Sequence, residues 1–224
     1  MSGMCSLADV KNWLGITDTT KDARLQLLID TVSAQMAGYI GYEPHYSTYT
    51  SERHAINNNQ LMYLNAAPIQ SVSAVTLAGV TINAGTADQD YQFDPTDAKA
   101  GRLYRGSGWC GNYFTRNMTY DIVSGRRDFV ATYEAGWYYP DDLDYVLGDS
   151  DSLPYVISAA CIREVVGVYR RTSARAEGLT SYREGGISWG WANPNNNQLA
   201  GLNSSGLSDD CCAVLNSYKR YGFA

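Results

Sequence analysis

The sequence predicts an α+β protein: an α-helical bundle of about four helices with an inserted small antiparallel β-domain, and an extended arm before a C-terminal helix. Three observations predict it. Apolar residues recur at helical spacing near both ends of the chain. That spacing vanishes from His45 to about Tyr139, where short apolar runs are separated by Gly, Asn, Asp and Pro. A proline-led apolar helix then returns and runs into an alternating, aromatic segment. The expected divisions are 1–44, an N-terminal helix pair; 45–139, the inserted β-domain; 140–192, the long helix plus arm; and 193–224, a flexible segment and the C-terminal helix.

Each element has a local reason. Ser6 caps a short helix with Leu7, Val10, Trp13 and Leu14 on its apolar side, and Gly15 ends it. The turn Thr17–Thr20 is expected to cap a second helix from about Lys21 to Tyr39. Its stripe is Leu25, Leu28, Ile29, Val32, Met36, Tyr39 and Ile40. In the β region the expected strands are Leu61–Leu64, Val72–Leu77, Val80–Ile82, Tyr91–Phe93, Leu103–Tyr104 and Phe129–Tyr133, with a tight hairpin at Leu77–Val80. Gly101–Tyr120 carries glycines and exposed-looking aromatics, among them Trp109, Tyr113 and Phe114. It reads as a contact loop or as a hairpin tip of no special role.

The long helix opens at Leu153–Pro154. Its core stripe is Leu153, Val156, Ile157, Ala160, Cys161, Val165, Val168 and Tyr169, and Arg163, Arg170, Arg171 and Arg175 fall away from it. Ile187–Trp191 is the arm. After the asparagine-rich 193–205, Ser208 caps the last helix, Ser208–Tyr221, whose narrow face is Cys211, Val214, Leu215 and Tyr218.

Composition narrows the function. The chain has 224 residues, 45% hydrophobic and 18% charged, enough for one compact domain or two small ones. Its net charge of −6 argues against binding nucleic acid through phosphates, which needs a basic face. Five cysteines without a CxxC spacing argue against a disulfide framework and favour a reducing compartment. No signal peptide and no membrane-spanning run is expected. The five aspartates of Asp141–Asp151 lack the spacing and closing Glu of a calcium loop and read as a solvated acidic linker.

No catalytic, cofactor or metal constellation is expected. The histidines are His45 and His54, and no HExxH, CxxC or phosphate-cradling glycine loop occurs. Glu52 and His54 read as a surface pair rather than an acid–base couple.

The element order carries a resemblance. A SLADVKNWLGI helix and a KDARLQLLIDTVSAQMAGYIGY helix come first. A β insertion follows, containing LNAAPIQSVSAVTL and closing on FVATYEAGW. Then come the helix LPYVISAACIREVVGVYRR, an arm, and a short helix ending Tyr218-Lys219-Arg220. This resembles the head–tail connector (adaptor) proteins of tailed bacteriophages across nearly the whole chain. The N-terminal helix pair, Tyr133–Trp137 and the closing Tyr-Lys-Arg are the stronger parts. The 101–120 loop and the asparagine-rich segment depart from the compact members.

The resemblance implies a non-enzymatic virion protein of the neck, assembled in the host cytoplasm. It implies a ring of twelve subunits below the portal that extends the DNA channel and meets a tail or head-closure protein. DNA would pass without specific binding. It implies portal docking by the C-terminal region, here Val214, Leu215, Tyr218, Lys219 and Arg220. The same helix has a second reading, in which it folds back to complete a four-helix bundle. In a ring, Arg163, Arg170, Arg171 and Arg175 would pair with a neighbour's carboxylates, such as those of Asp141–Asp151; on a lone subunit they would be a solvated face. A competing class is a carbohydrate- or surface-binding β module, suggested by 18 Tyr and 5 Trp. A hydrolase with an unrecognised site is the third.

Overall fold

The computed structural model describes residues 3–55, 59–109, 129–176, 181–184, 187–190 and 206–219, the stretches between 172 and 190 by their backbone. The chain forms two compact units. One holds the described residues up to Gly41 and those from Tyr138 onward; the other is Tyr42–Trp137.

The helical unit begins with α1 (Leu7–Leu14). Ser6 Oγ accepts from the Asp9 N–H at 3.1 Å and donates to the Asp9 carboxylate at 2.7 Å, so cap and first turn hold each other. α2 (Asp22–Ile40) buries Leu25, Ile29, Val32, Met36 and Ile40. The expected Thr17–Thr20 cap does not form. The N-cap is Lys21, with no side-chain bond, because Asp18 turns to the Thr20 N–H instead.

In the Tyr42–Trp137 unit, β1 (Ser47–His54), β2 (Leu61–Tyr63), β3 (Ile69–Leu77), β4 (Val80–Ile82), β5 (Tyr91–Gln92), α3 (Pro95–Lys99), β6 (Arg102–Arg105) and β7 (Phe129–Ala135) follow in order. They form two antiparallel sheets, β1-β7-β3-β4 and β2-β6-β5. β7 is central and alternates strictly: Phe129, Ala131, Tyr133 and Ala135 face the core. Ala78 and Gly79 both take positive φ at the β3–β4 hairpin, as a two-residue turn requires.

Two elements depart from the sequence reading. β1 is polar, STYTSERH, and owes its extension to pairing with β7, with a register shift between Tyr49 and Glu52. α3 is too short to show periodicity, yet Asp94 caps it by accepting from the Thr96 N–H at 2.7 Å, with Pro95 next.

Gly136 closes β7 with φ 101°, and a Cβ there would strike the His45 carbonyl. Only glycine fits the Ala-Gly-Trp step that leads into buried Trp137.

The helical unit resumes with α4 (Tyr155–Ala176), the hairpin β8 (Ser181–Glu184) and β9 (Ile187–Gly190), and α5 (Asp209–Leu215). α4 buries Ile157, Ala160, Cys161, Val165 and Tyr169, and also Ile162, Glu164 and Val166. Val156, expected on the stripe, is half exposed in the first turn of α4, as is its neighbour Tyr155; Trp13 on α1 is exposed too. α5 is shorter than expected and packs on α4 and α2. The expected arm is therefore a two-stranded hairpin, and the α+β class with an inserted antiparallel β unit is the fold observed.

Candidate interaction surfaces

α5 is fastened to its own bundle. Ser208 caps it, accepting from the Cys211 N–H at 3.3 Å, and the same hydroxyl donates to Glu164 on α4 at 2.6 Å. Arg171 Nη2 reaches the other Glu164 oxygen at 3.5 Å. At the far end, the Tyr39 hydroxyl donates to Asn216 at 2.8 Å, and Lys219 lies 4.3 Å above the Tyr39 ring. Leu215 is fully buried. Burial pushes the Cys211 thiol up to about 12, with the nearby Glu164 carboxylate adding to it.

This alters the docking set. Leu215 belongs to the subunit's own core and is no surface anchor, because α2 and α4 supply its apolar neighbours. Val214, Tyr218 and Lys219 remain partly exposed; Arg220 lies outside the described residues. The arginines also divide. Arg163 is exposed and donates to the Ala159 carbonyl at 3.4 Å, and Arg171 is held by Glu164. Arg170 is half-buried, and the Arg175 side chain lies outside the described residues. Sequence reading missed Glu164: an i, i+7 partner of Arg171 was its only local signal.

In the β unit, Trp109 is not the exposed aromatic its setting suggested. It is fully buried, donates from Nε1 to the Gln60 carbonyl at 3.0 Å, and meets Phe129 edge-on at 4.9 Å. Arg105, 2% exposed, lies over its ring and donates to the carbonyls of Gln89 and Gly108 at 2.8 and 2.9 Å. Glycine-rich sequence around an aromatic looks exposed; here Gly108, at φ 76°, precedes a ring that is fully buried. Tyr113 and Phe114 lie outside the described residues. The same burial of Trp109, Tyr133 and Trp137 removes aromatic faces on which a sugar-binding reading depends.

Glu52 and His54 pair as expected, but the pair is partly buried. Glu52 contacts His54 Nε2 and accepts from the Tyr133 hydroxyl at 2.6 Å and the Asn65 N–H at 2.9 Å. Burial alone would raise the carboxyl. The hydrogen bonds from His54, Tyr133 and Asn65 together outweigh it and hold Glu52 below its ordinary value. Tyr133, buried and facing that carboxylate, is pushed up. The network is partly buried and ties β1 to β7.

The exposed apolar side chains lie elsewhere. Leu143 is fully exposed, Val146, Leu147 and Tyr155 more than half exposed, and all sit in the acidic stretch before α4 or at its start. Asp142 there accepts from the Tyr139 N–H at 2.6 Å, and Ser152 from the Val146 N–H at 3.1 Å, so the segment is folded turns rather than loose chain. Among the described residues no group of three His, Cys, Asp or Glu could hold a metal, and no helix is long and apolar enough to cross a membrane.

A family profile described as head completion protein matches residues 3–122, from α1 through most of the β unit. The chain belongs to the head completion protein family. Membership agrees with the resemblance to phage head–tail connectors and makes the chain a structural component of a phage-type particle. A solved chain from the neck of an empty GTA particle, computed with C6 symmetry, aligns over 99% of this chain and 92% of its own, at TM-score 0.52 and 15% identity. A chain from the neck of a native GTA particle, computed with C12 symmetry, aligns over 99% and 91% at TM-score 0.47 and 13% identity. No curated protein matches the chain by sequence. The first likeness shows that this head completion family member has the fold of a particle-neck subunit. α4 and α5 lie beyond the family match.

Proposed function

We propose that the protein is a connector ring of the particle neck, seated below the portal and offering its other side to a tail or head-closure protein. The head completion match over residues 3–122 carries this reading. The full-length fold likeness to a neck subunit supports it. The proposed ring has twelve subunits, as the connector family does, and a ring of twelve is compatible with the sixfold symmetry applied to that neck. Portal docking is assigned to the outer side of α5, through Val214, Tyr218 and Lys219, with Arg220 following. A net charge of −6 suits a channel wall that DNA crosses without being gripped. The work is structural, with no cofactor.

Negative-stain microscopy of the purified chain, alone and with its phage's portal, tests the reading. Rings, or added density beneath the portal, are expected. A monomer that ignores the portal would overturn it.

A further inference from the structure

The helical unit carries two dissimilar exposed surfaces. The first is Asp141–Asp151. It interleaves exposed Leu143, Val146 and Leu147 with five aspartates, and the sequence has no Lys or Arg from 138 to 162. The second lies where α1 ends, α2 begins and α4 passes its midpoint. The Lys11–Asp22 ion pair, 2.7 Å, joins α1 to α2, and Arg24 over the Tyr169 ring, 5.4 Å, joins α2 to α4. Lys21, Arg24 and Arg170 make this end basic, and exposed Trp13 and Leu27 make it partly apolar. The carboxylates nearby are Asp22, paired with Lys11; Asp18, which accepts from the Thr20 N–H and faces Lys21 and Lys11; and Glu164, held by Ser208 and Arg171, so the cations of this end outnumber its acids. Asp209 and Asp210 sit in the first turn of α5, where the helix dipole favours them. Along α4, Tyr155 and Arg170 stand about 22 Å apart, at 1.5 Å per residue.

An exposed apolar segment flanked only by acids cannot mate with a copy of itself, since like charges would face each other. It can mate with a basic, apolar end of a second copy. Two unlike complementary patches on one subunit make a head-to-tail contact, the kind that closes a ring. We propose that Asp141–Asp151 of one copy docks on the Lys21, Arg24, Leu27 and Arg170 end of the next. This rests on the ring reading and names its contact. It recasts the arginine set: Lys21 and Arg24 join Arg170, while Arg171 serves its own subunit.

Charge exchange in the full-length chain tests it, wherever the wild type assembles, alone or on its portal. A loop variant carries Asp144→Lys and Asp149→Lys; an end variant carries Lys21→Glu and Arg24→Glu. All four positions are exposed, and circular dichroism checks that each variant folds. Each variant alone should need at least about tenfold more protein to assemble. Their equimolar mixture, and one chain carrying all four changes, should assemble again. Leu143→Ser with Leu147→Ser should weaken assembly about tenfold while leaving the melting temperature unchanged. Rings from the loop variant at wild-type concentration, or loss without rescue, would overturn the contact and leave the ring standing. Intact rings that no longer bind portal would assign the acidic segment to the portal instead, which also overturns it. A wild type that never forms rings removes ring and contact together.

Discussion

The two units deal differently with apolar surface. The β unit encloses its largest side chains: Trp109, Phe129 and Tyr133 are fully buried, and the buried Arg105 spends its donors on backbone carbonyls. The helical unit closes its interior equally well, with Leu25, Ile29, Met36, Ile157 and Leu215 inside. Yet among the described residues it carries every exposed large apolar side chain except Val80 and Phe93. Among the described residues of the β unit, Val80 and Phe93 are the large apolar side chains left exposed. A helical unit that leaves Trp13, Leu27, Leu143 and Leu147 in water has surface that burial against another chain would stabilise. The difference is the reason the proposed subunit contact is sought on the helical unit.

The comparison breaks first at Trp109. Trp109→Ala removes a fully buried ring with two carbonyl partners and should cost about 3–5 kcal/mol in urea titration. If the units are energetically separate, hydrogen exchange should accelerate in β2, β6 and β7 and leave α2 and α4 protected. Simultaneous loss of α2 protection would show that the helical unit depends on the sheets. Glu164→Gln probes the opposite side with a smaller effect. The Ser208 clasp loses its charge, costing about 1–2 kcal/mol, and the amides of α5 should exchange faster while the β unit is unmoved. Unchanged α5 exchange would mean that its buried face, Cys211, Cys212 and Leu215, and the Tyr39–Asn216 bond hold the helix without the clasp.

The smallest effect belongs to Glu52 and appears only in acid. Its folded value is depressed, so the stability it contributes is present above its ordinary value of 4.5 and is lost as pH falls through the folded value. Glu52→Gln should therefore flatten the acid limb of the β unit's stability curve and leave the helical unit's limb in place. An unaltered acid limb would exclude Glu52 from the linkage.

Much of the fold was legible because its signals are local. Ser6 and Ser208 cap the helices they precede, the stripe Leu25–Ile29–Val32–Met36 is a helical period, and Phe129–Ala135 alternates as a half-covered strand must. The surfaces were less legible. Leu215 and Tyr218 share a face on any helical wheel, but that wheel does not say whether α2 and α4 already cover it. Trp109 sits among glycines that read as a loop, and Leu143 among aspartates that read as solvent-facing linker.

Periodicity, caps and turn residues act within about four residues, so the sequence by itself determined the class, the helices α1, α2, α4 and α5 and the β7 strand. Burial of Trp109 by Phe129, pairing of polar β1 with β7, the grip of Glu164 on Ser208 and the exposure of Leu143 depend on partners tens of residues away or on their absence. Only the tertiary structure decided those, because a side chain's burial is set by what the rest of the chain brings to it.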